Sequence, residues 1–264
     1  AAEDQLVTER VMTNLYFMTG WNWLSIFQKV YVVALFFVCT TLCTRLLNVA
    51  LAFLVKHVRD LSFGLILVSV FVAGIICFML PPVPGVPVYL FGGVVIADSC
   101  PEGFVWGCVI TIAVSFVLKL TACSMQQKLI GEALGSSAWI KSNVGINKPA
   151  IRAIEAVLRQ PGMSVGKVAI LCGGPDWPTS VLAGLLKLPL SQMLLGTLPI
   201  ILFIGPCSLC GAFYLKRAES DVWQRSADLM ISLTSCLSLI MLFLASWAIQ
   251  VQFDHNYVEV TKPL

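Results

Sequence analysis

Long uninterrupted apolar stretches are the feature that most constrains the fold of this chain. Four of them, residues 30–55, 61–80, 104–123 and 229–251, reach the length of about 20 residues that a helix needs to cross the hydrocarbon core of a bilayer. A fifth, residues 190–215, contains two prolines and is predicted to span with a kink. The sequence therefore predicts an all-α polytopic transmembrane bundle with about five spans.

The charge content excludes several classes of protein. Only 12% of the residues are charged, whereas soluble domains have about 25%. Because so few charges cannot cover a surface that faces water, an ordinary soluble enzyme is excluded. The 17 basic and 14 acidic residues give a net charge of +3, which is too small and too scattered for a nucleic-acid partner.

Proline-rich breaks interrupt two further apolar segments. Residues 86–97 follow a run with prolines at 81, 82, 84 and 87, and residues 165–186 are cut by the segment 173–178. Since proline lacks an amide donor and disfavours helix in the preceding residue, no helix is expected to continue through either break. Two opposed re-entrant hairpins at 81–97 and 165–186, related as an inverted repeat, are the predicted arrangement. The alternative is two loops that only pack the bundle.

Basic residues are concentrated between the two breaks, at Lys128, Lys141, Lys148, Arg152, Arg159 and Lys167. The positive-inside bias predicts that this linker is cytoplasmic. The segment after the first break carries Asp98 and Glu102 and no base, so we expect the two hairpins to enter from opposite faces. In residues 126–160 the bases alternate with apolar residues, which predicts helices that lie on an anionic membrane surface.

The order of these segments resembles the SNARE-associated Golgi protein domain, also called the VTT or DedA superfamily. The resemblance covers about residues 62–215 and is carried by the segments 80–93, 153–158, 173–178, 188–190 and 195–197. It divides the chain into an interfacial segment (1–29), a first transmembrane helix with its connector (30–60), a VTT/DedA-like domain with both hairpins (61–215), and a C-terminal transmembrane helix with its tail (216–264).

This resemblance implies a membrane protein of the eukaryotic endomembrane system, Golgi or endoplasmic reticulum, that transports or scrambles lipid. Two departures from the family pattern bear on the mechanism. Many bacterial members have an acidic residue where this chain has Val86, and an arginine before the second proline turn, where this chain has Leu171 to Gly174. Without these charges a proton-coupled mechanism is disfavoured, which leaves a scramblase or a member that has lost transport.

The predicted path for a lipid headgroup is the groove between the two hairpin breaks. Its lining residues are Pro84, Gly85, Pro87, Asp176, Trp177 and Pro178. Candidate intramembrane charges are Arg45, Lys119 and Asp98. Each has a structural alternative: Asp176 as a turn former, Lys119 extended to the interface, Arg45 on a locally wet helix face, and Asp98 in a solvated turn.

The sequence gives little support for enzyme or cofactor chemistry. Residues 162–166 match the pattern G-x-S-x-G, but a nucleophile elbow needs a preceding strand and a histidine partner. Cys207 and Cys210 form a C-x-x-C pattern, but they lie in an apolar span without clustered histidines, so we expect neither a metal site nor a cofactor. The predicted function is therefore movement of phospholipid or another amphipathic solute without ATP, with membrane lipids as partners and no enzymatic activity. The alternative is a non-transporting scaffold subunit that binds other protein subunits in a larger membrane complex.

Overall fold

The computed structural model describes residues 9–58, 61–81 and 83–257. These residues are almost entirely helical, and no strand occurs among them. The α-helices are α1 (Glu9–Thr19), α2 (Trp23–Val58), α3 (Phe63–Met79), α4 (Gly85–Ser99), α5 (Phe104–Met125), α6 (Glu132–Leu134), α7 (Ala138–Val144), α8 (Pro149–Arg159), α9 (Val165–Gly173), α10 (Asp176–Leu185), α11 (Leu190–Thr197), α12 (Ile201–Leu215) and α13 (Asp221–His255). A π-helical turn, Gln126–Gly131, joins α5 to α6, and short 3-10 turns follow α11 and α12.

Four helical segments of the described chain are long and apolar enough to cross a membrane. They are Trp23–Leu54, Phe104–Leu134, Leu190–Ala218 and Asp221–His255, and they match four of the five predicted spans. The stretch 61–80 differs from its prediction, because α3 has only 17 residues and is not among the four. The prediction of a membrane-embedded helical protein is thus confirmed in this coarser form.

The helix ends differ from the predicted ends because helix propensity continues past the apolar runs. Helix α2 begins at Trp23 instead of residue 30, and the helix predicted to end at 123 continues to Leu134. The chain forms two compact units, residues 1–45 and 46–264. The boundary between them falls inside α2.

Both proline runs end one helix and begin another. After α3, Leu80 is extended, and Pro84 precedes the first residue of α4 with φ −74° and ψ 148°. After α9, Gly174 is extended, and Pro175 precedes the first residue of α10 with φ −65° and ψ 123°. Proline fits this position because its fixed φ suits the entry into a helix, where the missing amide has no partner to lose.

The two predicted hairpins have different outcomes. Residues 165–186 contain two helices, α9 and α10, as a hairpin requires. Residues 81–97 contain only the beginning and middle of one helix, α4, so this segment is not a hairpin by itself. The helix on the other side of the first break is α3, which was predicted as a full span.

The core of the larger unit is built where α4 packs against α5 and α12. Glycines permit the closest approach: a Cβ atom on Gly93 would overlap the backbone of Ser208, and one on Gly211 would overlap the backbone of Leu90. Small residues at such crossings let helix backbones pack directly in membrane proteins. This contact fixes α4, and therefore the first break, relative to α12.

The polar linker forms α7 and α8 at one end of this unit. Helix α8 buries Ala153, Val157 and Leu158 and packs against α9 and α13. The prediction of amphipathic helices in residues 126–160 is confirmed for α8, whereas the first part of this segment continues from α5 through the π-helical turn. Contact of this region with a membrane surface stays a prediction.

Candidate functional site

A buried ion pair joins two of the sequence-predicted residues. Lys119 lies on α5, and its Nζ atom is 2.6 Å from Oδ1 of Asp176, the first residue of α10. The exposed fraction of the Lys119 side chain is 2%, and that of Asp176 is 25%. The Lys119 ammonium is therefore shielded from solvent, while the Asp176 carboxylate is partly exposed.

This geometry decides between the alternatives for both residues. The interpretation that Lys119 extends to the membrane interface is wrong, because the side chain is buried and its charge is held by Asp176. Asp176 does not cap the turn through its side chain, since the capping position before α10 is taken by Pro175. The Asp176 carboxylate instead forms an ion pair with Lys119, which is distant in the sequence.

The first helix break lies directly against this pair. A Cβ atom on Gly85 would be 2.9 Å from Oδ2 of Asp176 and 3.2 Å from ring atoms of Phe78 and Tyr89. Only a glycine therefore leaves room for the carboxylate at the start of α4. The two breaks, predicted to lie close together, are adjacent at Gly85 and Asp176.

Aromatic side chains form the wall behind the lysine. The rings of Phe78, on α3, and Tyr89, on α4, have centroids 5.6 Å apart. The Lys119 ammonium lies 5.9 Å from the centroid of the Phe78 ring, within the range of a cation–π contact. The charge is thus stabilised by a carboxylate on one side and by an aromatic face on another.

Polar atoms near the pair keep unused hydrogen-bonding capacity. The Tyr89 hydroxyl and the Trp177 indole Nε1 are buried and have no hydrogen-bond partner among the described residues. Such groups are uncommon in folded proteins, because an unpaired buried donor costs about 1–3 kcal/mol. Both residues adjoin the pair, because the Tyr89 ring packs beside Gly85 and Trp177 follows Asp176 in the sequence.

The π-helical turn that continues α5 supplies two further polar contacts. Gln126 Nε2 donates to the carbonyl oxygen of Phe78 at 2.7 Å, and Gln127 Nε2 donates to that of Leu188 at 2.7 Å. In a continuing helix the Phe78 carbonyl would accept from residue 82, which is a proline and has no amide hydrogen. The Gln126 amide replaces that donor. π-helical turns of this kind are frequent at functional sites.

The remaining predicted residues lie around the pair or away from it. Pro84 and Pro178 are exposed beside the breaks, and Pro87 and Trp177 are half-buried. Asp98 lies at the opposite end of α4 from Gly85, about 20 Å along the helix at 1.5 Å per residue. Arg45 is an exposed residue of α2 that belongs to the smaller unit. Asp98 is therefore not part of the site around the pair.

Sequence reasoning missed Tyr89, Phe78 and the two glutamines. A signal for the glutamines existed, because Gln126 and Gln127 are adjacent amides at the end of an apolar run. They were interpreted as the beginning of a polar linker. No local signal marks the aromatic residues, which are ordinary members of apolar helices.

Comparisons with protein-family models, with curated proteins and with solved structures found no match.

Proposed function

We propose that this chain moves phospholipid or another amphipathic solute across an endomembrane without ATP, as a divergent relative of the VTT/DedA proteins. The observation that carries the proposal is the Lys119–Asp176 pair at the junction of the two helix breaks. Ionisable groups at membrane depth are costly and are retained mainly where they act on a solute or an ion. In the proposal, α3–α4 and α9–α10 are re-entrant helix pairs that enter from opposite faces.

The partly exposed carboxylate suits an exchange of partners with a headgroup. Asp176 is the accessible member of the pair, and Lys119 is held behind it. A headgroup that reaches the break meets the Asp176 carboxylate first, and a rearrangement of the surrounding side chains would then expose the Lys119 ammonium and the buried donors of Tyr89 and Trp177 to it. Each polar contact offsets part of the desolvation of the headgroup, which lowers the barrier to its passage.

The alternative is a non-transporting scaffold subunit. The close approach of α4 and α12 at Gly93 and Gly211 favours it, because direct backbone contact leaves α4 little freedom to move. A scaffold also retains a buried ion pair, as a structural contact between α5 and α10. The two functions therefore differ in whether the pair is needed for lipid movement.

The test is lipid scrambling in vesicles of phosphatidylcholine that contain a fluorescent lipid quenched from outside by dithionite. The parent chain should increase quenching from about half of the fluorescence toward completion, since inner-leaflet lipid then reaches the outside. Vesicles with the parent that quench like protein-free vesicles would favour the scaffold.

A neutral pair variant separates charge from folding. Lys119→Met combined with Asp176→Asn removes both charges together, and replacement of a buried ion pair as a unit is often nearly neutral for stability. We expect scrambling per folded molecule to fall about tenfold, the effect of about 1.4 kcal/mol on the barrier. The matched control is Lys128→Gln with Glu132→Gln, which neutralises an exposed pair of the same 2.6 Å length further along this helix. Unchanged scrambling in the first variant removes the pair from the mechanism.

A further inference from the structure

A basic cleft lies where α7, α8 and the C-terminal end of α10 meet. Its volume is about 270 Å³, and its polar lining consists of Lys141, Asn147, Arg152, Glu155 and Lys187. The Glu155 carboxylate is already bound by the Arg159 guanidinium at 2.8 Å. Three basic side chains therefore share this cleft with one carboxylate whose charge is compensated.

The basic residues at this end of the molecule fall into two groups. Lys128 pairs with Glu132, and Lys167 donates to the carbonyl oxygen of Gln160. In the part of the chain that the structure describes, the ammonium groups of Lys141 and Lys187 have neither an ion pair nor a hydrogen-bond acceptor. The cleft thus contains two uncommitted positive charges from different helices.

Lys187 has a backbone conformation that normally favours glycine. Its φ is 53°, and it ends α10 in a Schellman motif in which Lys187 N–H donates to Gly184 and Leu188 N–H donates to Ala183, both at 2.9 Å. Glycine is the usual residue at this position. A lysine kept in the left-handed region, with its side chain in a basic cleft, indicates that the side chain has a use.

Exposed apolar residues occur on α7, which contributes Lys141 to the cleft, and in the loop before α9. Trp139, on α7 with Lys141, is 74% exposed, and Val144 and Met163 are exposed as well. Helix α8, by contrast, buries its apolar residues against α9 and α13. Tryptophan together with lysine is the composition that membrane–water interfaces favour.

We propose that this cleft binds the phosphomonoester headgroup of an anionic phospholipid, in the leaflet on which α7 lies. A phosphomonoester carries a charge of about −1.5 to −2 at neutral pH, which matches two uncommitted ammonium groups. A zwitterionic headgroup would bring its own cation toward Lys141 and Lys187. This site is separate from the Lys119–Asp176 pair, and it holds whether or not the chain moves lipid.

The experiment is calorimetric titration of the full chain, in an uncharged detergent at 0.15 M salt, with dioctanoyl phosphatidylinositol 4-phosphate. Lys187→Gly is the sharpest variant, because glycine suits the backbone at φ 53° and the fold is kept while the side chain is removed. We expect Lys187→Gly and Lys141→Gln each to weaken binding about fivefold, the effect of one lysine near a phosphate. Lys128→Gln makes the same change in net charge outside the cleft and should change affinity less than about twofold.

Three results would overturn the proposal. One is equal affinity of the parent, Lys187→Gly and Lys141→Gln. Another is an equal loss in Lys128→Gln, which would show attraction by total charge only. The third is tight binding of glycerophosphoinositol 4-phosphate, the same headgroup without acyl chains, with an affinity equal to that of the lipid, since the source of the phosphate would then not be a membrane. Dioctanoyl phosphatidylinositol, which lacks the phosphomonoester, should bind at least about fivefold more weakly than the 4-phosphate.

Discussion

The two helix breaks of this protein have the same backbone geometry but differ in charge. In each, an extended residue ends one helix, and a proline precedes the first residue of the next. The first break, before Gly85, carries no charged side chain, and its Phe78 carbonyl is satisfied by the neutral amide of Gln126. The second break begins α10 with Asp176, which is satisfied by Lys119.

Helix α5 and its π-helical turn supply the partner for both breaks. Lys119 and Gln126 lie about two turns apart along this segment, so one element receives two interrupted helices. In the first break the Gln126 amide satisfies a freed backbone carbonyl, whereas in the second break Lys119 neutralises a side-chain carboxylate. The first break is therefore neutral, and the second contains an ion pair.

The largest loss of stability is expected for a substitution at the charged break. Asp176→Asn leaves the Lys119 ammonium, 2% exposed, without its counter-ion. Loss of one member of a buried pair costs about 3–5 kcal/mol, and since the Asp176 carboxylate is itself 25% exposed we expect the lower end of that range. In detergent, Tm should fall by about 6 °C or more. The control Glu132→Gln removes a carboxylate from an exposed pair and should shift Tm by less than about 2 °C. Equal Tm shifts in the two variants would show that the buried ion pair contributes no more to stability than the exposed pair does.

A smaller effect is expected where the two breaks touch. Gly85→Ala places a methyl group 2.9 Å from the Asp176 carboxylate and 3.2 Å from two aromatic rings, so the contact has to open. Overpacking of this kind costs about 1–3 kcal/mol. Gly64→Ala is the matched control, because a Cβ atom there meets nothing within 4 Å and alanine favours the helix by about 0.5–1 kcal/mol. Thermal unfolding should therefore move in opposite directions for the two substitutions, and a common direction would contradict the contact.

The smallest effect is expected at the neutral break. Gln126→Met removes the donor to the Phe78 carbonyl, but it also removes the buried Gln126 Oε1, which has no partner among the described residues. The two changes partly offset each other, so we expect a loss of about 1 kcal/mol in the free energy of unfolding. A loss as large as that of Asp176→Asn, measured in the same detergent, would remove the proposed difference between the breaks.

The positions of the breaks could be predicted from the sequence, because proline acts locally on the helix. Residues 81–87 and 173–178 were predicted to interrupt helices, and α4 and α10 begin inside them. The helix on the near side of the first break, α3, has 17 residues and is shorter than the span predicted over 61–80. An apolar composition alone does not distinguish a full span over 61–80 from a 17-residue helix that ends at a break.

The pairing of Lys119 with Asp176 could not be predicted, although both residues were singled out. They are 57 positions apart, and their contact depends on how α10 packs against α5 and the π-helical turn. The π-helical turn itself has no local sequence signal, because side-chain polarity at Gln126 does not reveal that a freed carbonyl lies opposite. Tertiary packing decided both features.

The most direct test of the account is a double-mutant cycle between positions 119 and 176. Free energies of unfolding are measured in detergent for the parent, Lys119→Met, Asp176→Asn and the double variant. The double variant should be more stable than Asp176→Asn alone, with a coupling energy of about 2 kcal/mol or more, because the two charges satisfy each other. A coupling energy below about 0.5 kcal/mol would show that the two residues act independently, and it would contradict an ion pair between α5 and the second helix break.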